Sequence, residues 1–228
     1  MSIIPIIKKF RLASNLNPPA VLRDGNTVAW YDYKDLPTLT IDGANAVSRW
    51  NDKLGSGHDL LQATGTNQPL YTADGILFDG IDNFMDSSFI WTQYKTIYLI
   101  LKQISWAKDF YIFDNYDTNT MVLYQNTTTP GLVLNAGNDL PQNNLDFDVF
   151  KPIIAVYNGA NSKLQIGDTI VTGDAGANYG NGFTLAAPHS ANVLFSNIKV
   201  KAIILRNVVD NAVNELSIYN YLKGICNI

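Results

Sequence analysis

The chain has 228 residues, 46% hydrophobic and 16% charged, with a net charge of −4. That length holds one large domain or two small ones. The sparse, acidic charge excludes the basic footprint of a nucleic-acid-binding protein, and no apolar run is long enough to insert as a membrane span.

Residues 1–20 form a separate segment. "MSIIPIIKKFRLA" is apolar and then basic, and "SNLNPPA" is a spacer whose Pro18-Pro19 cannot lie inside a helix or a central strand. The first 25 residues set Lys8, Lys9, Arg11 and Arg23 against Asp24 alone, so the remaining chain carries −7. An apolar peptide with no core of its own buries itself elsewhere. Residues 1–20 therefore read as a docking arm, with an edge strand of the main domain as the alternative. The apolar stretch precedes the basic pair, is short and contains Pro5, so it does not read as a secretion signal.

From residue 26 onward, short strands and turns dominate. "TVAWYD" is followed by "AVSRWNDKLGSGHDLLQ", read as two strands around a turn at Gly55 and Gly57. "KTIYLILKQI" (95–104) is rich in β-branched and aromatic residues and long enough for a central strand. "DFYIFDN", "TMVLYQN" and "GLVLNAGN" each close on a turn residue. "KPIIAVYNGANSKLQIGDTIV" is a hairpin with Asn158-Gly159 at its turn. On the order of a dozen strands at this spacing predicts an all-β fold, a sandwich of two antiparallel sheets. One helix follows. Asp210 is its expected cap, and Ala212, Leu216, Tyr219, Leu222 and Cys226 form its expected apolar stripe. Everything from residue 21 to 228 reads as one domain. Cys226 is the only cysteine, so no intrachain disulfide forms, and it reads as a small packed hydrophobe.

Four stretches, "VAWYDYKDL" (28–36), "VSRWNDKLGSGHDLLQ" (47–62), "PLYTADGILFDGIDNFM" (69–85) and "KAIILRNVVDNAVNELSIYNYLKGI" (201–225), carry a family likeness. Together they resemble the concanavalin A-like lectin/glucanase superfamily, and within it the laminin G-like domain of bacterial surface and phage virion proteins. The resemblance implies a jelly-roll sandwich with a C-terminal helix. It does not extend to residues 1–20, and the fold alone does not fix an activity.

Glycoside hydrolases of that superfamily are marked by a Glu-x-Asp-x-Glu strand motif, because two carboxylates must face each other across the glycosidic bond. This chain has nineteen Asp but a single Glu, Glu215, on the expected helix. The motif is absent. His58 and His189 have no nucleophilic cysteine near them and no Gly-x-Ser-x-Gly elbow occurs, so a triad has little support, and there is no phosphate loop or zinc pattern. The sequence therefore predicts a protein that is not an enzyme. In "FDGIDNFMD" (78–86), Asp79-Gly80 with Asp82 and Asn83 reads as a turn between strands.

Asp114, Asp117 and Asn119 in "FDNYDTNT" offer oxygens to a hard cation such as calcium, which needs six to eight of them. Sugar recognition calls for an aromatic face and planar amides or carboxylates. Tyr116, Asn138, Asp139, Asn178, Tyr179 and Asn181 meet that demand in three loops. The resulting expectation is a virion-surface protein of a phage that binds cell-surface or mucosal glycans weakly. Residues 1–20 would join it to other virion proteins, and a homo-trimer would multiply the weak contacts. The alternatives are an assembly or cement protein without a glycan ligand, and a glycoside hydrolase.

Overall fold

The computed structural model describes residues 17–89, 95–115, 121–125 and 129–226, the Cys226 side chain excepted. Runs of β-branched and aromatic residues, broken by Gly, Asn and Asp, give seventeen strands and one α-helix among these residues. The strands are β1 (Thr27–Asp32), β2 (Leu39–Ile41), β3 (Val47–Trp50), β4 (Leu60–Leu61), β5 (Leu70–Thr72), β6 (Gly75–Asp79), β7 (Met85–Ser87), β8 (Lys95–Gln103) and β9 (Tyr111–Asp114). They continue with β10 (Val122–Gln125), β11 (Leu132–Asn135), β12 (Asp139–Gln142), β13 (Phe150–Tyr157), β14 (Ser162–Ile166), β15 (Thr169–Gly173), β16 (Phe183–Leu185) and β17 (Asn197–Arg206). Helix α1 (Ala212–Cys226) follows β17.

All strand pairs are antiparallel and they build two sheets, as expected for a jelly-roll sandwich. The first runs β15-β14-β13-β8-β17-β6-β5, with β1 also on β17. The second runs β12-β11-β10-β9-β16-β7-β4-β3-β2. Strands β1 and β6 share one edge of β17 end to end, on either side of a register shift between Val200 and Ala202.

The run at β8 shows why the first sheet is buried on both faces. Successive side chains alternate across a strand. Ile97, Leu99 and Leu101 enter the core between the sheets, while Tyr98 and Ile100 join a second core under α1. Strands β13 and β17 alternate in the same way. A strand buried on both faces has no polar side, hence the unbroken apolar run. The second sheet keeps its outer face free of the helix, which packs on β8, β13 and β17.

Two expectations about the helix need correction. Ala212 and Leu216 are exposed, Leu216 at 58%, and the buried stripe is Ile218, Tyr219, Tyr221, Leu222 and Ile225. The cap is Asn211, whose Oδ1 accepts the Asn214 N–H at 2.9 Å. Asp210 is drawn away: its carboxylate accepts two bonds from Arg206 and one from the Tyr98 hydroxyl. The turn at 79–84 is as expected, and it crosses from one sheet to the other, joining β6 to β7. Asp79 Oδ1 accepts the Ile81 N–H at 2.9 Å while Gly80 adopts φ +77°. The arm at residues 1–16, Trp91 and the Cys226 side chain lie outside the described residues; Leu22, just past the spacer, is fully buried.

Candidate functional site: an amide-lined cleft beside an open sheet face

The turn joining β11 to β12 is zipped to the loop that follows β15. The Asn138 N–H donates to the Ala175 carbonyl (3.1 Å), and the Asn178 N–H donates to the Ala136 carbonyl (2.8 Å). Asn138 Nδ2 donates to Asp174 Oδ2 at 3.1 Å, and Asp174 Oδ1 accepts the Gly176 N–H at 2.8 Å. Gly176 sits at φ +87° against Ala136, where a Cβ would collide with the Ala136 carbonyl.

This zipper brings Gly176–Asn178 opposite the β13–β14 turn. A cleft of about 250 Å³ results, lined by Tyr157, Asn158, Gly159, Asn161, Gly176, Ala177 and Asn178. Three Asn residues are among those lining it, and an Asn amide carries both a donor and an acceptor, the pairing that vicinal hydroxyls need. The glycines let a ligand approach the backbone.

The same β11–β12 turn leads to the outer face of the second sheet. Tyr111 on β9 pairs with Tyr124 on β10, Tyr124 with Val133 on β11, and Val133 with Pro141 on β12. The rings of Tyr111 and Tyr124 lie 6.0 Å apart at 31°. The Tyr124 hydroxyl donates to Asp139 Oδ1 at 3.0 Å, and Asn135 Nδ2 donates to the same atom at 2.6 Å. Burial, and then the Asp139 carboxylate, raises the Tyr124 pKa, so the hydroxyl stays a donor.

Of the residues singled out in the sequence, Asn138 and Asn178 meet at the zipper, and Asp139 faces the sheet surface. Tyr179 (66% exposed) and Asn181 follow in the same loop without lining the cleft. Tyr116, Asp117 and Asn119 lie outside the described residues. Asn158 and Asn161 were legible only as a hairpin turn, although Asn-Gly marked the place. Tyr111 and Tyr124 were hidden by a register shift between Leu123 and Tyr124, which puts both Ile112 and Phe113 into the core.

Asp114 is fully buried and holds a loop. Its Oδ1 accepts the Asn115 N–H at 2.8 Å, and Oδ2 accepts the His189 N–H at 2.9 Å, with His189 Nδ1 3.6 Å away. Desolvation raises its pKa against the pull of those partners. Asp114 is the one member of the expected calcium set that lies among the described residues. Among the described residues no cluster of three or more His, Cys, Asp or Glu forms a metal site. Asp86 and Asp114 flank Thr184 in register, on one side of the sheet. Asp114 is fully buried there.

No family model matches the chain, and no curated protein matches it in sequence. Solved structures do. Trypanosoma rangeli sialidase in complex with sialic acid superposes with a TM-score of 0.64 at 12% identity, over 87% of this chain and 33% of that one. A mutant of that sialidase displaying trans-sialidase activity gives 0.66 at 12%, over 91% and 34%. An arabinofuranosidase complexed with arabinofuranosyl-alpha-1,2-xylobiose gives 0.62 at 12%, over 79% and 51%. The chain thus spans about a third of the sialidase and half of the arabinofuranosidase. The expectation of a protein that is not an enzyme is overturned here, because these structural neighbours are enzymes. At this identity the likeness carries the fold: a two-sheet β-sandwich, in coarse agreement with the concanavalin A-like architecture and shared with glycosidases.

Proposed function

We propose that the chain is a carbohydrate-recognition domain that seats a sugar in the amide-lined cleft. The observation that carries this is the convergence of Asn158, Asn161 and Asn178 with Gly159 and Gly176 around one cavity of about 250 Å³. Such a wall exchanges hydrogen bonds with hydroxyls and brings no net charge to a neutral ring. The β-sandwich shared with a sialidase bound to sialic acid and an arabinofuranosidase bound to a substituted xylobiose supports a carbohydrate ligand, and only the second of these carries a neutral one.

The finer assignment belongs to the proposal as well. It is a laminin G-like domain on a phage surface, joined to other virion proteins through residues 1–20 and raised to useful avidity as a trimer. Its support is the apolar-then-basic composition of the arm and the order of the four stretches between residues 28 and 225.

A printed array of neutral and sialylated glycans tests the reading. The chain binds a subset of neutral glycans, and Asn178→Ala or Asn161→Ala weakens that binding roughly three- to tenfold, as expected for one lost hydrogen bond. An empty array with an intact fold contradicts the proposal and favours an assembly protein without a glycan ligand.

A further inference from the structure

We propose that the ligand is a neutral glycan chain rather than a single terminal sugar, running from the cleft over the Tyr111–Tyr124 face of the second sheet. This rests on reading the cleft as a sugar site, and it adds a second, independently placed surface. The two are linked by one turn. Asn138 on that turn holds the cleft loop through Asp174, and Asp139, the next residue, is hydrogen-bonded to Tyr124. Asn135 braces the turn by accepting the Gly137 N–H at 2.9 Å.

The row Tyr111, Tyr124, Val133, Pro141 crosses four adjacent strands, with the tyrosines half-buried, Val133 only 4% exposed and Pro141 exposed. At the usual strand spacing it covers roughly 14 Å, longer than one sugar ring. Tyr124 is pinned by its hydroxyl bond and Tyr111 lies beside it, so the aromatic surface is rigid before a ligand arrives. Ring faces take the C–H side of a sugar, and preorganised rings lose little entropy on binding. Asp139 is exposed, and its Oδ2 has no hydrogen-bond partner among the described residues, so it can accept from a sugar hydroxyl.

Charge decides the class of chain. The surface and cleft are bordered by Asp109, Asp139 and Asp174, and the nearby Lys108 sits 3.9 Å from Asp109. Of the three described arginines, Arg206 is buried against Asp24 and Asp210, Arg49 is paired with Asp59, and Arg23 is exposed just past the Pro spacer. None lines the cleft or stands in the tyrosine row, so neither surface presents the bidentate guanidinium that a sugar carboxylate calls for. A sialylated or uronic chain would meet repulsion; a neutral one would not.

Titration calorimetry on the full chain separates these ideas. The probes are xylobiose and xylohexaose, cellobiose and cellohexaose, with 3′-sialyllactose and oligogalacturonate as the anionic arm. At least one neutral hexaose is expected to bind roughly tenfold more tightly than its disaccharide. Tyr124→Ala is expected to cut hexaose affinity much more than disaccharide affinity, while Asn178→Ala cuts both alike. Tyr124→Phe and Asp139→Asn keep the ring or the backbone and still weaken the hexaose, which covers the case where Tyr124→Ala fails to fold. Affinity independent of chain length, no effect of any sheet-face variant, or preference for an anionic probe overturns the proposal. If the Tyr124 variants weaken binding and Asn178→Ala does not, the cleft reading fails while the aromatic face stands.

Discussion

Arg206 and Asp210 form a two-pronged ion pair sealed from solvent, with Nε to Oδ2 at 2.7 Å and Nη2 to Oδ1 at 2.8 Å. The pair sits where β17 ends and α1 begins, and it reaches back to the start of the domain. Arg206 Nη1 also donates to the Val21 carbonyl and to Thr27 Oγ1, and Nη2 to Asp24. Asp210 in turn accepts from Tyr98 on β8. One guanidinium thereby fastens the residues after the Pro spacer, the central strand and the helix to each other.

Removing one member of a buried pair leaves the other charge stranded, a loss of about 3–5 kcal/mol. Arg206→Met and Asp210→Asn are therefore expected to lower urea stability by that order. A loss below about 1 kcal/mol in both would show that the pair is not the fastener described.

The helix stripe is tested by contrast. Leu222→Ala removes a fully buried side chain from the second core and is expected to cost about 2–5 kcal/mol. Leu216→Ser, at a 58% exposed position, is expected to stay within about 0.5 kcal/mol. Equal effects in thermal melts would restore the stripe through Leu216.

Gly176→Ala tests the zipper. The new Cβ meets the Ala136 carbonyl at a backbone conformation suited to glycine, so a loss of more than about 1 kcal/mol is expected. Glycan binding should fall with it, because the cleft wall is built by that contact. Gly57→Ala, at φ +82° but with open space around it, strains the backbone without moving the cleft and should leave binding intact.

Acid should loosen the domain in a defined window. The Arg206 guanidinium beside Asp24 lowers its carboxyl to about 2. Burial pushes Asp74 upward, but hydrogen bonds from Lys199, Thr72 and Lys102 override it and bring it to about 2. Both groups have lower pKa values folded than unfolded. Their stabilisation is complete above about pH 4 and lost as pH falls toward 2, since the unfolded chain takes up protons first. Asp74→Asn is expected to flatten that limb of a stability–pH curve; an unchanged slope would remove Asp74 from the account. Asp114, raised by burial, acts in the opposite sense, favouring the folded state less as pH rises through its folded value.

How much of this was legible depended on how local the cause was. The β8 run announced a central strand because burial on two faces leaves an unbroken apolar string, and Asp79-Gly80 announced a turn because the Asx bond is made within four residues. The helix cap was not legible. Asp210 and Asn211 are both good caps, and only the three-dimensional arrival of Arg206 decides between them. The stripe slipped for a related reason: Leu216 and Ile218 are both apolar, and the sheet chose the face. The cleft was half legible. Asn138 and Asn178 stood out in Gly-rich loops, but Asn158 and Asn161 join them through long-range backbone bonds, Ala136 N–H to the Ala175 carbonyl and Ala175 N–H to the Gly159 carbonyl, which no local pattern encodes.

The central claim, a sugar seated among Asn158, Asn161 and Asn178, is tested most directly by an NMR titration of the isotope-labelled full chain with neutral oligosaccharides, watching side-chain amides. The account predicts saturable shifts at those three amides and smaller ones at Asn135, with the α1 signals unmoved. Neutral oligosaccharides at millimolar concentration that shift none of the three, while the spectrum remains that of a folded domain, would contradict it.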